Sequence, residues 1–512
     1  MAYGSGHAES SGQMEGNRAS MAEPQDQRSP PTPEALLETA IRARDQGDLA
    51  RAAEALDGAL SATPRAPVAL RLRARVALER GEGDALARFD AALRTDPGNA
   101  DLHLGKAQAL DVVGDAKGAR IVAQQIAQQA PGFIAALTFL TGLRLADGEA
   151  DFAAPFAEAA AKAPQDPNIL AAWIDALAGI ERFAEAAEIA AKARRLFAQE
   201  PHFALLEATY AGSSGDWRRA DAIYAKLATQ SVPRWLAEAR HHIRAGDIGA
   251  AATLLDKALA IAPKDIAIWA LKGVIWRLSD TAEAQERARW LHEQAGLVQL
   301  RPLLAGPDVV EHARERLEDL HKTTGTPLNQ SVRGGSQTRG VLFQRPEPAL
   351  AALHEAIHTT LEAYRAQLPP TDLAHPLLAE RDTPWKLAGS WSVRLKAGGD
   401  HHAAHIHPSG LISSALYLAV PSGADAASEA DGPPGALELG RPPADLGLEL
   451  APLATLRPQE GYLALFPSTL YHGTIAFRGL RSSADQGATQ NADRVTGRLS
   501  VAFDVITYPA QV

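Results

Sequence analysis

The chain has 512 residues, 46% of them hydrophobic and 22% charged, which at roughly 100–200 residues per domain allows two to four domains with ample core. Its 51 Lys and Arg against 61 Asp and Glu leave a net charge of −10 with no basic cluster, which excludes nucleic-acid binding driven by phosphate contacts. Cysteine is absent, excluding disulfides, thiolate metal sites and cysteine nucleophiles; no apolar run suits a secretory signal or a membrane span, so a cytoplasmic protein is expected.

Residues 1–32 are rich in Gly, Ser, Gln and Pro and contain all three methionines, Met1, Met14 and Met21. Such a composition buries too little apolar surface to offset ordering, so a disordered tail is expected. Whether translation starts at Met21 is left open.

Residues 33–298 are Ala-rich, with a helical pattern and a repeat. Gly47, Gly81, Gly114 and Gly148 recur at intervals of 34, 33 and 34 residues, and Pro64, Pro97, Pro131 and Pro164 at 33, 34 and 33. Glycine between paired helices and proline at the end of each unit predict a two-helix α-solenoid. The segments 47–64 and 246–263 show the interior: after the glycine come Ala52 or Ala251, Leu56 or Leu255, and Ala59 or Ala258. Small residues permit close helix approach and leucine fills the remaining gap. These positions, with Gly215, Asp216, Trp217, Ala220 and Tyr224, resemble the tetratricopeptide pattern. About seven units are counted, with Arg182 near the glycine position of the fifth. Stacked repeats present an extended concave surface, so a polypeptide partner is expected in that groove. A dimerisation or docking role is the alternative, and the oligomeric state is left open.

From residue 299 the period stops. Pro302 and Pro307 break the helices, and helical passages follow at 308–323 and 353–368. Runs at 391–395, 412–420, 462–466 and 499–506 alternate or stay apolar between Gly and Pro, the mark of strands. A helix-flanked antiparallel sandwich or barrel is predicted over 299–512, and the fold class is a multidomain α + β protein.

The chemistry lies in the last 120 or so residues. His401, His402, His405 and His407 fall within one segment, and His405 and His407 are two apart, so an extended backbone turns both imidazoles to one face. Pro408 then stops ladder pairing and places the pair at a strand end. Further on come Phe466-Pro467-Ser468 with His472, then a strand opening on Arg498. A His-x-His pair plus a distant histidine suits a first-row metal with open positions, although histidines at this spacing also occur without one. Arg498 among apolar neighbours suits an acid co-substrate that a fixed guanidinium grips.

The order His-x-His, apolar strand with Tyr, G-x-L-x-x-F-P-S, His and R-x-S resembles the Fe(II)/2-oxoglutarate-dependent oxygenases, and more narrowly their bacterial and phage branch. An upstream marker of that branch is matched by SVRGGSQTRGVLF at 331–343. The resemblance implies a double-stranded β-helix (jelly roll) and, as cofactor and co-substrates, Fe(II), 2-oxoglutarate and O2, with ascorbate as a supporting reductant. It makes His405 and His472 iron ligands. Arg498 would bind the distal carboxylate of 2-oxoglutarate, with Tyr417 and Ser500, the last residue of R-x-S, beside it. His407 stands where most of the superfamily carries the Asp of a His-x-Asp motif. Three readings follow: a three-histidine site, which is preferred, a two-histidine site with water, or a degenerate site that binds without turnover.

Asp400 is a candidate compensating carboxylate, and His401 and His402 are expected on the solvent or substrate side. Arg494 rivals Arg498, because 26 residues between His472 and Arg498 is a long separation; the strand continuing behind Arg498 favours the latter. Arg333-Gly334-Gly335 is either an anion nest or, preferably, a tight turn. Trp385 and Trp391 are expected in the core, and 421–443 and 479–497 as loops over the mouth. The activity implied is hydroxylation of a polypeptide recruited by the solenoid. The alternatives are an interaction scaffold with a ligand-sensing jelly roll and a three-histidine enzyme that needs no 2-oxoglutarate.

Overall fold

The computed structural model describes residues 31–324, 331–396, 399–420, 433–476 and 497–507. The tail 1–30, Arg494 and most of both expected mouth loops lie outside the described residues.

Sixteen helices, α1 (Pro33–Asp45) through α16 (Ala282–His292), form eight consecutive pairs, one more than the sequence count. The turn inside each pair explains the period. Gly47, Gly81, Gly114, Gly148, Gly215 and Gly246 all have positive φ, between 64° and 93°, the left-handed conformation that ends a helix without a Cβ penalty. In four pairs an Asp follows at once and caps the second helix: Asp48, Asp115, Asp216 and Asp247 accept from the amides of Arg51, Gly118, Arg219 and Ala250. This satisfies donors that a helix start otherwise leaves unpaired. Ala52, Leu56, Ala59, Ala251, Leu255 and Ala258 are at most 2% exposed, so these positions are the inter-helix seam.

The fifth turn departs from the rule. Its left-handed residue is Glu181 (φ 65°), not the neighbouring Arg182, and it is the one non-glycine residue with positive φ among the described residues. A side chain in that conformation costs about 1–2 kcal/mol. Its carboxylate meets Arg333 Nη2 at 2.6 Å, a contact from the solenoid to the C-terminal region.

Beyond the solenoid come β1 (Gln299–Pro302), α17 (Pro307–Leu320), β2 (Val332–Arg333), β3 (Ser336–Gln337), α18 (Pro348–Ala366), β4 (Trp385–Lys396), β5 (His401–His402), β6 (Ile412–Ala419), β7 (Leu437–Leu439), β8 (Ala454–Leu456), β9 (Tyr462–Pro467), β10 (His472–Thr474) and β11 (Gly497–Thr507). Pro302, expected only to break a helix, ends an edge strand, a position where proline costs no ladder bond. The large sheet runs β1-β9-β6-β11-β4-β3, the small one β10-β7-β8, and β2 pairs with β5. All pairs are antiparallel, giving the jelly-roll architecture. One face of the large sheet packs on α17 and α18 through Leu416, Leu418, Val501, Phe503, Leu353 and Ile357. Gly334 and Gly335 make a tight turn between β2 and β3, both at positive φ, and a Cβ on Gly335 would meet Arg394 O at 2.2 Å.

Solenoid and jelly roll share a core. Leu446, Tyr471 and Ile406 pack with Ile243, Leu255, Trp269 and Leu291 of the last repeats. Asp445 receives Arg240 on both carboxylate oxygens (2.8 and 2.7 Å) and Arg244 at 3.0 Å. Towards the other end Arg339 pairs with Asp111, and Leu49 N donates to Gln344 Oε1. No helix among the described residues is long and apolar enough to cross a membrane.

The strain at Glu181 has a thermodynamic signature. The ion pair to Arg333 is partly exposed (52% and 31%) and contributes at most about 1 kcal/mol. In an Arg333→Ala background, Glu181→Gly should therefore raise stability by roughly 0.5–1 kcal/mol, the steric relief less the glycine entropy cost. Urea unfolding followed by far-UV circular dichroism measures this; an unchanged or lower midpoint would show that the turn carries no strain.

Candidate metal and anion site

Two local devices bring the histidines together. His405 and His472 form a single antiparallel bridge, His405 N to His472 O at 3.0 Å and His472 N to His405 O at 2.9 Å. Gly473 makes the approach possible, because a Cβ there would meet His402 O at 3.0 Å. His407 lies two residues past His405 and its ring falls on the same side, with the two Nε2 atoms 3.1 Å apart. Ring centroids of the three lie 4.3–5.0 Å apart, and one nitrogen from each lies within 4.8 Å of the others.

Each ring is oriented from behind. His405 Nδ1 bonds Ala403 O at 2.8 Å, His472 Nδ1 bonds Leu470 O at 3.1 Å, and His407 Nδ1 bonds the carboxylate of Asp504. Such partners fix the proton on Nδ1 and leave the Nε2 lone pair for a metal. Burial, then the neighbouring His407, pushes His405 down to about 3. Burial, then His405, holds His472 well below the ordinary histidine value. Both rings are thus neutral at physiological pH, the form that ligates. Ser331 Oγ lies 3.2 Å from His405 Nε2 and 3.1 Å from His402 Nδ1.

His401 and His402 lie on β5, opposite Arg333 and Val332 of β2, and line the cavity without joining the three-nitrogen cluster. Asp400 does not join the cluster: its Oδ2 accepts from Lys396 N, the end of β4, at 2.8 Å. Trp385 is buried as expected, but Trp391 is only half-buried and stands in the cavity wall, 5.5 Å from the His407 ring.

The strand β11 supplies the cationic side of the cavity. Its alternate residues Arg498, Ser500, Ala502 and Asp504 line the cavity while Leu499, Val501, Phe503 and Val505 enter the core, as period-2 alternation requires. Arg498 is 3% exposed. It donates to Gly435 O at 2.8 Å and to Thr474 Oγ1 at 3.2 Å; its Nε has no hydrogen-bond partner, and no carboxylate pairs with it among the described residues. Burial pulls its pKa below the ordinary arginine value, opposed by Tyr417. The Tyr417 ring centroid is 5.5 Å from the guanidinium carbon, and its buried hydroxyl also lacks a partner among the described residues. Tyr417 is the cross-strand partner of Ser500. Thr474 is two residues from His472 on β10, so the two side chains leave one face of that strand about 7 Å apart.

The cavity measures about 1310 Å³, and its wall includes Glu181 and Phe183 of the fifth repeat. Two contributions were not read from the sequence. Asp504 was signalled by an acid on the strand face that carries Arg498 and Ser500, six residues and three alternations past Arg498. Glu181 was signalled by its place 33 residues after Gly148.

A family profile described as "Putative 2OG-Fe(II) oxygenase" matches residues 389–484, and two tetratricopeptide-repeat profiles match 83–143 and 232–275. The chain thus carries segments that match tetratricopeptide repeats and, towards its C-terminus, a putative 2OG-Fe(II) oxygenase domain. No curated protein matches it. Among solved structures, it is similar to a tetratricopeptide repeat protein from Parabacteroides merdae at 16% identity, covering 50% of this chain and 97% of that one, with a TM-score of 0.30. Yeast Tom70 matches at 18% identity over 50% and 52% with a TM-score of 0.33. Pseudomonas aeruginosa pilF matches at 18% identity over 46% and 94% with a TM-score of 0.26. The oxygenase-profile match contains all three clustered histidines and Tyr417, and ends before Arg498.

The cluster is testable by metal binding alone. His405→Ala and His472→Ala should each weaken binding of a divalent first-row metal by more than the ~10–100-fold typical of an outer-sphere loss, read by anaerobic calorimetric titration. Undiminished affinity in both variants would dissociate the histidines from any metal.

Proposed function

We propose that the C-terminal domain is an Fe(II)- and 2-oxoglutarate-dependent oxygenase that hydroxylates a polypeptide held between the jelly roll and the solenoid. The observation that carries this reading is the buried Arg498, with no carboxylate partner among the described residues, in the same cavity as three metal-ready imidazoles. A buried cation without a counter-charge costs several kcal/mol, so the site is built for an anion. The unpartnered Tyr417 hydroxyl and Arg498 Nε offer that anion two donors. A dicarboxylate with a metal-chelating 2-oxo acid end fits a guanidinium one strand step from the cluster.

In this reading His405, His407 and His472 hold Fe(II). When bound, the iron supplies oxygen activation, coupling oxidative decarboxylation of 2-oxoglutarate to hydroxylation: R–H, O2 and 2-oxoglutarate become R–OH, CO2 and succinate. The chain's own residues do the rest. Arg498 neutralises the distal carboxylate, with Tyr417 and Ser500 beside it. Ala403, Leu470 and Asp504 keep each imidazole proton off the metal side. Phe466, with its ring 4.9 Å from that of His472, and Trp391 supply apolar walls that exclude water.

The polypeptide assignment rests on the cavity. Its volume exceeds the ~300–1,000 Å³ of small-molecule pockets, and part of its wall is a tetratricopeptide turn. The substrate therefore reaches the metal past the solenoid, whose repeats already hold the jelly roll through Asp111, Glu181 and Arg240. One observation favours a second reading, a ligand-sensing scaffold: the cluster consists of three imidazoles and no carboxylate ligand among the described residues.

Substrate-independent succinate release separates the two. Full-length protein with Fe(II), ascorbate and 2-oxoglutarate should form succinate, and Arg498→Ala should reduce the rate at limiting 2-oxoglutarate by two orders of magnitude or more. Binding of 2-oxoglutarate without any succinate would favour the sensor. Normal turnover by Arg498→Ala would remove the co-substrate assignment.

A further inference from the structure

The three imidazoles differ in what stands behind them. His405 and His472 each bond a neutral backbone carbonyl, whereas His407 bonds a carboxylate. His407 is also the residue that resemblance places where an aspartate ligand is usual. The negative charge missing from the ligand set is therefore present one residue further out.

The surrounding structure holds Asp504 for this contact. It lies on β11, three alternations past Arg498, and faces the cavity, while its neighbours Phe503 and Val505 are buried in the core on the opposite face. The register shift between Phe503 and Asp504 leaves Gly389 of β4 unpaired, so the extra residue lies on β4 and the alternation of β11 carries through to Asp504. Gly410 leaves the room: a Cβ there would meet Ser468 Oγ at 2.9 Å and Asp504 Cβ and Cγ at 3.4 Å. No lysine or arginine pairs with Asp504 among the described residues; its ionic partner is His407. The carboxylate is 20% exposed, so solvent does not replace that partner.

We propose that Asp504 is a positioning residue of the metal centre that supplies, through the His407 ring, the anionic character the ligand set lacks. Accepting the Nδ1 proton fixes the tautomer and the ring plane, and a carboxylate in that role makes the imidazole a stronger donor than a carbonyl does. A dipositive ion held by three neutral nitrogens gains a compensating charge without losing a coordination position. This rests on the reading of the three histidines as metal ligands.

The test uses Co(II) as probe, titrated anaerobically into the full chain, with affinity and the visible d–d absorption as readouts and no turnover required. Asp504→Asn keeps a hydrogen-bond acceptor and removes the charge; Asp504→Ala removes both. Both should lose about 10–100-fold in Co(II) affinity and shift the d–d bands, with an unchanged circular-dichroism spectrum. If the alanine variant fails to fold, the asparagine variant carries the test. Wild-type affinity and bands in Asp504→Asn would overturn the charge role. His405→Ala in the same titration separates the premises: if it too binds Co(II) normally, the three-histidine reading fails; if it loses Co(II) while Asp504→Asn does not, only the role of Asp504 fails.

Discussion

A guanidinium buried to 3% exposure is unfavourable unless something answers its charge, and within the chain Arg498 finds only a carbonyl and a hydroxyl among the described residues. Desolvating a cation costs several kcal/mol, and polar contacts of this kind return part of it. The strand β11 nevertheless places Arg498 there, with Leu499 and Val501 anchored in the core on its other face. The remaining site geometry is organised around that charge. Thr474 ties it to the strand carrying His472, the His405–His472 bridge ties that strand to the other two imidazoles, and Tyr417 closes over the guanidinium.

The solenoid is part of the same construction. Its last repeats share a hydrophobic core with Tyr471, the residue before His472, and Arg240 reaches both Tyr471 and Asp445. Its fifth repeat gives a turn to the cavity wall, and that turn is the one where a glutamate occupies a left-handed position. Backbone strain survives where surrounding structure over-determines it, and it clusters at functional sites.

Much of the architecture was legible because it repeats or alternates. The glycine period follows from the left-handed residue that seven of the eight pairs place in their turn, and the seam alanines from close helix approach. The four longer strands, β4, β6, β9 and β11, are visible because their runs alternate or stay apolar. What escaped has physical reasons. Strands β7 and β8 are three residues each, too short to show a period. Strand β1 ends on Pro302, which reads equally as a helix breaker. His405 belongs to no extended strand and is placed by one bridge, a contact 67 residues distant in sequence. Asp504 required carrying the alternation from Arg498 and Ser500 two steps further, and Glu181 required trusting the 33-residue interval over the residue type. Trp391 looked like core because nothing local distinguishes a strand tryptophan that faces a cavity from one that faces a helix.

Arg498 and the histidine cluster are claimed to be two ends of one ligand site. The most direct test is anaerobic titration of 2-oxoglutarate into the full-length protein with and without Fe(II). The account predicts one molecule bound per chain, tightly only when the metal is present, and loss of that binding in Arg498→Leu while Fe(II) affinity stays the same. Binding of 2-oxoglutarate that is indifferent to both the metal and Arg498, or no binding at all, would contradict it.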